Sequence, residues 1–316
     1  MAVRFSLDGL VAAPFTPFHA DGSLNTAAIA QQAEGTRGLL TGVFICGTTG
    51  EGISMTVKER MAVAERWLAV RPKDLKVIVH VGASGAADGQ VLAAHAQSIG
   101  ADAISTMGPL GFKPAHVHAL VEYCEVVAAS APKLPFFYYH MPSLNGVAVS
   151  MMDFVAIAAD RIPTFAGVKY THDDLNEYAL LVKQFGAKYN IVFGRDEYLL
   201  HALQVGAKGA VGSTYNYMAP IYLSIIAKTA KGDSDGALRD HLRAVEIIQV
   251  LIKYGGGVIG GKCIMKLLGL DLGPCRTPLS TPPAQIAAKM RADLEKLGFF
   301  EEGVSVPHEF AEPLRG

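Results

Sequence analysis

Short apolar runs alternate along the chain with longer amphipathic segments. The short runs are rich in Val, Ile, Phe and Tyr and are apolar almost throughout, which is typical of parallel strands covered on both faces. We therefore predict eight strands, at residues 10–13, 42–46, 77–81, 103–106, 136–139, 166–169, 191–193 and 210–212.

The segments between these runs carry helix signals. Thr56 and Glu59 form a capping box, in which the hydroxyl and the carboxylate satisfy free amide groups at a helix start. Eight strands with intervening helices in about 215 residues predict an α/β fold, a (β/α)8 TIM barrel. A doubly wound sheet is the alternative, because local pattern does not distinguish a closed sheet from an open one.

The strand pattern stops after Gly212, and helical stretches follow near residues 219–231, 233–254 and 281–297, with a short one near 262–268. We therefore divide the chain into a barrel over residues 1–217, which carries the active site, and a C-terminal helical extension over residues 218–316. No Pro/Ser-rich or charged linker separates the two parts, so we expect one structural unit.

Composition narrows the function classes. Of the 316 residues, 50% are hydrophobic and 18% are charged, so a large core is expected, and the formal net charge of -1 favours neither nucleic acid nor membrane as a partner. No apolar run approaches the roughly 18 residues of a membrane span. The four scattered cysteines and the lack of a signal-peptide pattern indicate a reduced, cytoplasmic protein.

In a (β/α)8 barrel the active site lies at the carboxyl ends of the strands, so polar residues that follow strands are the candidates. Five predicted strands end in such clusters, at residues 46–52, 138–142, 168–171, 193–197 and 211–216. We expect the five clusters to meet at one mouth of the barrel.

Lys169 directly follows an apolar run. Burial there would disfavour the ammonium form, and a neutral amine can attack a ketone to form a Schiff base that withdraws electrons from the neighbouring carbon. The alternative is a strand-end lysine that reaches solvent or pairs with Asp173 or Asp174.

The other clusters allow two interpretations each. The glycine-spaced loop around Thr48 and Thr49 could bind a carboxylate, or it could be a tight turn. Tyr139 could relay a proton, or it could be an ordinary packing residue. Asp196 could cap a helix, and Ser213 could bond either the turn or a substrate hydroxyl.

No metal or dinucleotide site is expected. His116 and His118 do not share a helix face. The segment 255–260 matches GxGxxG but follows a helix rather than a strand, so we predict a loop near the barrel mouth. His80 is interpreted as a hydrogen-bonded core histidine.

Four motifs, at residues 47–51 (GTTGE), 139–142 (YHMP), 167–169 (GVK) and 212–216 (GSTYN), together resemble the dihydrodipicolinate synthase / N-acetylneuraminate lyase family of class I aldolases. The resemblance extends from residue 12 to the terminal helix. It implies a (β/α)8 barrel with a helical tail, a homotetramer, and Lys169 as the Schiff-base lysine, with neither a cofactor nor a metal.

Within the family, residues 139–146 resemble the YxxPxLxG pattern of the sialic acid lyases. Leu144 stands where dihydrodipicolinate synthases usually carry an arginine, and residues 107–112 lack the tyrosine that those synthases donate across a dimer. The resemblance implies reversible cleavage of N-acetylneuraminate into N-acetylmannosamine and pyruvate, with Tyr139 moving a proton. It implies substrate contacts by Thr48, Thr49, Thr171, Gly194, Asp196, Glu197 and Ser213.

The two carboxylates in that set would suit a neutral polyol and repel a second carboxylate. Two alternatives remain open at this point. One is another pyruvate-dependent aldolase or dehydratase of the family, acting on a 2-keto-3-deoxy sugar acid or as a dihydrodipicolinate synthase. The other is a sugar-acid binding protein without activity.

Overall fold

The computed structural model describes residues 5–306 of the chain. Its strands are β1 (Gly9–Ala12), β2 (Gly42–Ile45), β3 (Lys76–His80), β4 (Ala103–Met107), β5 (Phe136–His140), β6 (Phe165–Tyr170), β7 (Asn190–Phe193) and β8 (Gly209–Gly212). Each strand pairs in parallel with the next, and β8 pairs with β1. The sheet is therefore a closed barrel, which confirms the predicted (β/α)8 fold and excludes the doubly wound alternative.

The predicted strands agree with these bounds to within one residue at each end. The helices of the described residues are α1 (Ile29–Gly35), α2 (Val57–Val70), α3 (Ala86–Ser98), α4 (Val117–Ala128), α5 (Pro142–Asn145), α6 (Met151–Arg161), α7 (Leu175–Phe185), α8 (Leu199–Gln204), α9 (Tyr215–Ala230), α10 (Ser234–Lys253), α11 (Gly256–Leu267) and α12 (Ala284–Lys296). The capping box predicted at Thr56 is present at the start of α2.

The strands separate the apolar residues into two layers. A small cluster that includes Val11, Phe44 and Tyr139 fills the barrel, and a larger cluster lies between the strands and the helices. Tyr138 belongs to the outer layer, where its ring packs on Phe154 with 4.4 Å between centroids. Because successive strand residues point to opposite faces, Tyr139 points into the barrel and Tyr138 away from it.

The helices after β8 pack on the barrel and on one another. α9 contacts β1 and α10, and α10 contacts α11 and α12. The helical geometry of α9 is interrupted at Met218, so the proposed boundary between residues 217 and 218 lies at this kink. Within residues 5–306 no single helix is long and apolar enough to cross a membrane; by length and composition only the pair α10 and α11, bent by 101°, passes that test.

The loop predicted over residues 255–260 is wrong, because α11 already begins at Gly256. Glycine is a poor helix former, but buried packing outweighs intrinsic propensity. Gly260 and Gly261 are buried, and a Cβ atom at Gly261 would overlap the ring of Phe15. The glycines therefore allow the helix to approach the barrel closely.

We expect Gly261→Ala to lower the free energy of unfolding by about 1–3 kcal/mol, the usual cost of overpacking a core. Urea unfolding of the two proteins measures the difference. Gly111→Ala is the matched control, because no heavy atom lies within 4 Å of the Cβ position there. Equal effects of the two substitutions would contradict the packing argument.

Candidate active site

An open cavity of about 270 Å³ lies at the carboxyl ends of the strands. All nine residues singled out from the sequence line it, namely Thr48, Thr49, Tyr139, Lys169, Thr171, Gly194, Asp196, Glu197 and Ser213. A larger cavity of about 400 Å³ opens at the amino ends of β7 and β8, but none of these nine residues reaches it. Barrel closure thus brings the predicted clusters to one mouth.

Lys169 lines the cavity. It is the register partner of Tyr139 in the β5–β6 pair, so both side chains point into the barrel side by side. The amine lies 3.9 Å from the ring centroid of Tyr139 and 4.2 Å from that of Phe44, and the residue is 5% exposed. An amine held between aromatic faces and open to the cavity can reach a ketone that binds there.

The alternative interpretation of Lys169, as a surface or ion-paired lysine, does not fit this geometry. Asp173 pairs instead with Arg195. The carboxylate of Asp174 accepts hydrogen bonds from the amides of Asn176 and Glu177 at the start of α7. Within residues 5–306, no carboxylate forms an ion pair with Lys169.

The hydroxyl groups of Thr48 and Tyr139 lie 3.5 Å apart beside this amine. Tyr139 donates to the thioether of Met141 at 3.1 Å, and Thr48 approaches the same sulfur at 3.9 Å. A thioether is a weak acceptor, so a substrate carboxylate could take its place. Nothing in the sequence pointed to Met141, because methionine next to a strand resembles an ordinary core residue.

The loop after β2 is tightly closed. The amide of Gly52 donates to the Gly47 carbonyl at 3.0 Å, and the amide of Glu51 donates to the Thr48 carbonyl at 3.0 Å. Within the described residues the amides of Thr48 and Thr49 have no protein acceptor. The two interpretations of this loop, as a tight turn and as an anion-binding site, are therefore compatible, because the turn leaves the amides of Thr48 and Thr49 free to donate.

Thr171 and Gly194 form a second part of the wall. The Thr171 hydroxyl is buried and has no hydrogen-bond partner among the described residues. A Cβ atom at Gly194 would overlap this hydroxyl, so glycine is required for its placement. A buried hydroxyl without a partner is costly, and a ligand that hydrogen-bonds it removes that cost.

Asp196 is buried and supports the start of α9. Its carboxylate accepts hydrogen bonds from the Thr214 amide at 2.8 Å and the Thr214 hydroxyl at 2.7 Å. It does not cap its own short turn. Burial raises the pKa of Asp196 to about 6, although the bonds from Thr214 oppose this. Asp196 therefore positions the segment that carries Ser213.

The expected acidic wall also contains a cation. Arg195 lines the cavity, contacts Asp173 and donates to the Glu197 carboxylate at 2.8 Å. Arg195 supplies a positive charge that partly offsets the carboxylates of the wall, and the predicted repulsion of a second carboxylate stays a prediction. Sequence reasoning did not select Arg195, because arginines beside acidic residues are common on protein surfaces.

His80 differs in one respect from its interpretation as a hydrogen-bonded core histidine. It is buried beside Phe44 and Tyr139, with 5.7 Å to each ring centroid, but its side-chain nitrogens have no hydrogen-bond partner among residues 5–306. Burial lowers the pKa of His80 well below its ordinary value. His116 caps α4, and the described residues contain no group of three or more His, Cys, Asp or Glu that could hold a metal ion.

Comparison with known proteins finds a family model and several proteins that this chain resembles. The dihydrodipicolinate synthetase family model matches residues 6–297. The N-acetylneuraminate lyase of Mus musculus is 41% identical over 299 residues, which cover 93% of each chain. The solved N-acetylneuraminate lyases of Proteus mirabilis and Aliivibrio salmonicida are 43% and 40% identical, each with a TM-score of 0.90; the matches cover 93% and 94% of this chain and 99% of each of those chains.

The raised pKa of Asp196 has a consequence for stability. A carboxyl group with a folded pKa of about 6 and an ordinary value of 3.8 favours folding most below pH 3.8, and this contribution is lost as the pH rises through 6. The loss is about 3 kcal/mol, at 1.36 kcal/mol for each pH unit.

We therefore expect Asp196→Asn, which keeps an acceptor for Thr214, to gain stability relative to wild type between about pH 4 and pH 7. Urea unfolding of both proteins at several pH values gives the difference. A difference that stays constant over this range would contradict the assignment.

Proposed function

The chain belongs to the dihydrodipicolinate synthetase family, and we propose that within it this protein is an N-acetylneuraminate lyase. The proposed reaction is reversible aldol cleavage of N-acetylneuraminate into N-acetylmannosamine and pyruvate. One observation carries the proposal: a buried amine, Lys169, lines the same cavity as Thr48 and Thr49, whose amides have no acceptor among the described residues.

In the proposed mechanism, Lys169 attacks the C2 ketone of the open-chain sugar acid. Loss of water gives a protonated imine, which accepts the electron pair of the C3–C4 bond as that bond breaks. Tyr139 accepts the proton of the C4 hydroxyl, which becomes the aldehyde of N-acetylmannosamine, and passes its own phenolic proton to the substrate carboxylate, from which a proton later returns to C3. The remaining enamine is protonated at C3, and water then releases pyruvate and the free amine. The iminium is the electron sink, so the reaction uses no external cofactor.

The cavity offers suitable partners for both ends of the substrate. Thr48 and Thr49 would hold the C1 carboxylate through their hydroxyl and amide groups, beside the phenol of Tyr139. Hydrogen bonds to a charged group are stronger than neutral ones, which suits this end of the substrate. The polyhydroxyl chain would extend along the opposite part of the wall, formed by Thr171, Gly194, Asp196, Glu197 and Ser213.

We also propose a homotetramer, which the resemblance implies, and a cytoplasmic location, which the scattered cysteines and the lack of a signal-peptide pattern favour. Sedimentation of the purified protein would measure the first, and fractionation of the source cells the second.

We expect a reduced pyruvate adduct on Lys169 when the protein is treated with pyruvate and borohydride, because the imine is an obligatory intermediate. Peptide mass mapping locates the adduct. Lys169→Arg should form no adduct and release no pyruvate, since a guanidinium stays protonated. Lys183→Arg, at an exposed position of α7, is the control and should behave as wild type. An adduct on a different lysine would refute the assignment.

A second experiment tests the substrate class. If Glu197 accepts hydrogen bonds from the sugar chain, Glu197→Ala should lower kcat/KM for N-acetylneuraminate by one to two decades, corresponding to about 1.5–3 kcal/mol. Glu197→Gln and Ser213→Ala should raise KM for N-acetylneuraminate more than they change pyruvate trapping at Lys169.

Asp173→Asn is the matched control, because Asp173 contacts the same arginine as Glu197 but does not line the cavity. It should leave KM close to wild type. Unchanged cleavage by the Glu197 and Ser213 variants, or a wild-type preference for aspartate semialdehyde as the pyruvate acceptor, would refute the sialic acid assignment while leaving the aldolase assignment intact.

A further inference from the structure

A buried ion pair joins the loop after β2 to helix α11. The Lys262 amine lies 2.7 Å from a carboxylate oxygen of Glu51, and the two side chains are 4% and 1% exposed. The second carboxylate oxygen of Glu51 accepts from the Arg276 amide at 2.8 Å, and Lys262 donates to the Pro274 carbonyl at 2.9 Å. Neither Glu51 nor Lys262 lines the cavity, so this pair acts on the site only through other residues.

The backbone of Glu51 explains why the loop needs this anchor. Its φ angle is 52°, in the left-handed region that residues with a side chain rarely adopt. The same residue donates its amide to the Thr48 carbonyl and so closes the turn that exposes the amides of Thr48 and Thr49. The ion pair thus holds an unfavourable backbone conformation on which the free donors depend.

Helix α11 connects this anchor to the mouth of the barrel. Val258 and Lys262 are four residues apart and lie on one face of the helix, with Val258 at the cavity and Lys262 at Glu51. Close packing of Gly261 on Phe15 fixes the helix against the barrel. A rigid element therefore contacts the site at Val258 and its carboxylate-binding loop at Glu51.

We propose that Lys262 and Glu51 are positioning residues, which hold the amides of Thr48 and Thr49 in the geometry that binds the substrate carboxylate. This inference rests on the proposed function, because that function places the carboxylate at this loop. Removal of the Lys262 charge leaves the Glu51 carboxylate buried without a cation, which costs free energy. The loop can lower this cost if Glu51 leaves its left-handed conformation. The donors then move, and recognition of the carboxylate is lost.

The test compares pyruvate with methyl pyruvate, which keeps the ketone but has an uncharged ester. Borohydride trapping at Lys169 over a range of concentrations gives the half-saturating concentration of each compound. We expect Lys262→Met to raise this value about tenfold for pyruvate, equivalent to about 1.4 kcal/mol, and by less than about twofold for methyl pyruvate. A general loss of structure would affect both compounds equally.

Lys266→Met is the matched control, because Lys266 lies one turn further along α11, is 67% exposed and pairs with Asp271 at the surface. It should trap both compounds as wild type does. If Lys262→Met does not fold, the double variant Glu51→Gln, Lys262→Met leaves no unpaired buried charge but also no ion pair to hold the left-handed turn, so it should show the selective loss to a smaller degree. Equal effects on the two compounds, or wild-type pyruvate trapping by the double variant, would overturn the inference.

The two proposals fail in different ways. A wild-type protein that forms no pyruvate adduct at Lys169 refutes the proposed function. A wild-type protein that forms the adduct, together with a Lys262 variant of unchanged selectivity, refutes only the positioning role.

Discussion

The site depends on the register between β5 and β6. Tyr139 and Lys169 are direct partners in that pair, so the same sheet geometry that buries their neighbours places the phenol and the amine side by side inside the barrel. A slip of one residue in either strand would turn its side chain towards the helices. The placement of the phenol and the amine is therefore set by the packing that closes the barrel.

Near Tyr139 and Lys169, several polar groups have no hydrogen-bond partner among the described residues, and glycines leave space for polar side chains. The Thr171 hydroxyl and the two free loop amides are unpaired in the described structure, and bare glycines at 194 and 212 admit the Thr171 hydroxyl and the Asp196 carboxylate. Such groups destabilise an empty fold. Thr171, Thr48 and Thr49 all line the cavity, where a bound ligand can supply the missing partners.

The sequence predicted most of the fold because parallel strands are buried on both faces and therefore apolar throughout. The local sequence pattern did not predict features whose conformation or partners depend on tertiary contacts. The glycines of α11 appeared to form a loop, since their helical conformation depends on packing against Phe15. The Tyr139–Met141 contact and the Arg195–Glu197 pair involve ordinary residue types, and only coordinates show which acceptor each donor reaches. The sequence also does not show that the side-chain nitrogens of His80 lack hydrogen-bond partners among residues 5–306, because that depends on which groups surround the ring in the fold.

The mouth is not built by the barrel strands alone. Gly257 and Val258 of α11 line it, and a Cβ atom at Gly257 would lie 3.4 Å from the Ser213 hydroxyl. The same helix carries Lys262 to Glu51, so both the acidic wall and the loop after β2 depend on residues beyond position 217. A barrel without these helices would keep Lys169 and Tyr139 but lose one side of the cavity and the anchor of its loop. The contacts therefore favour one structural unit, in which the extension completes the site.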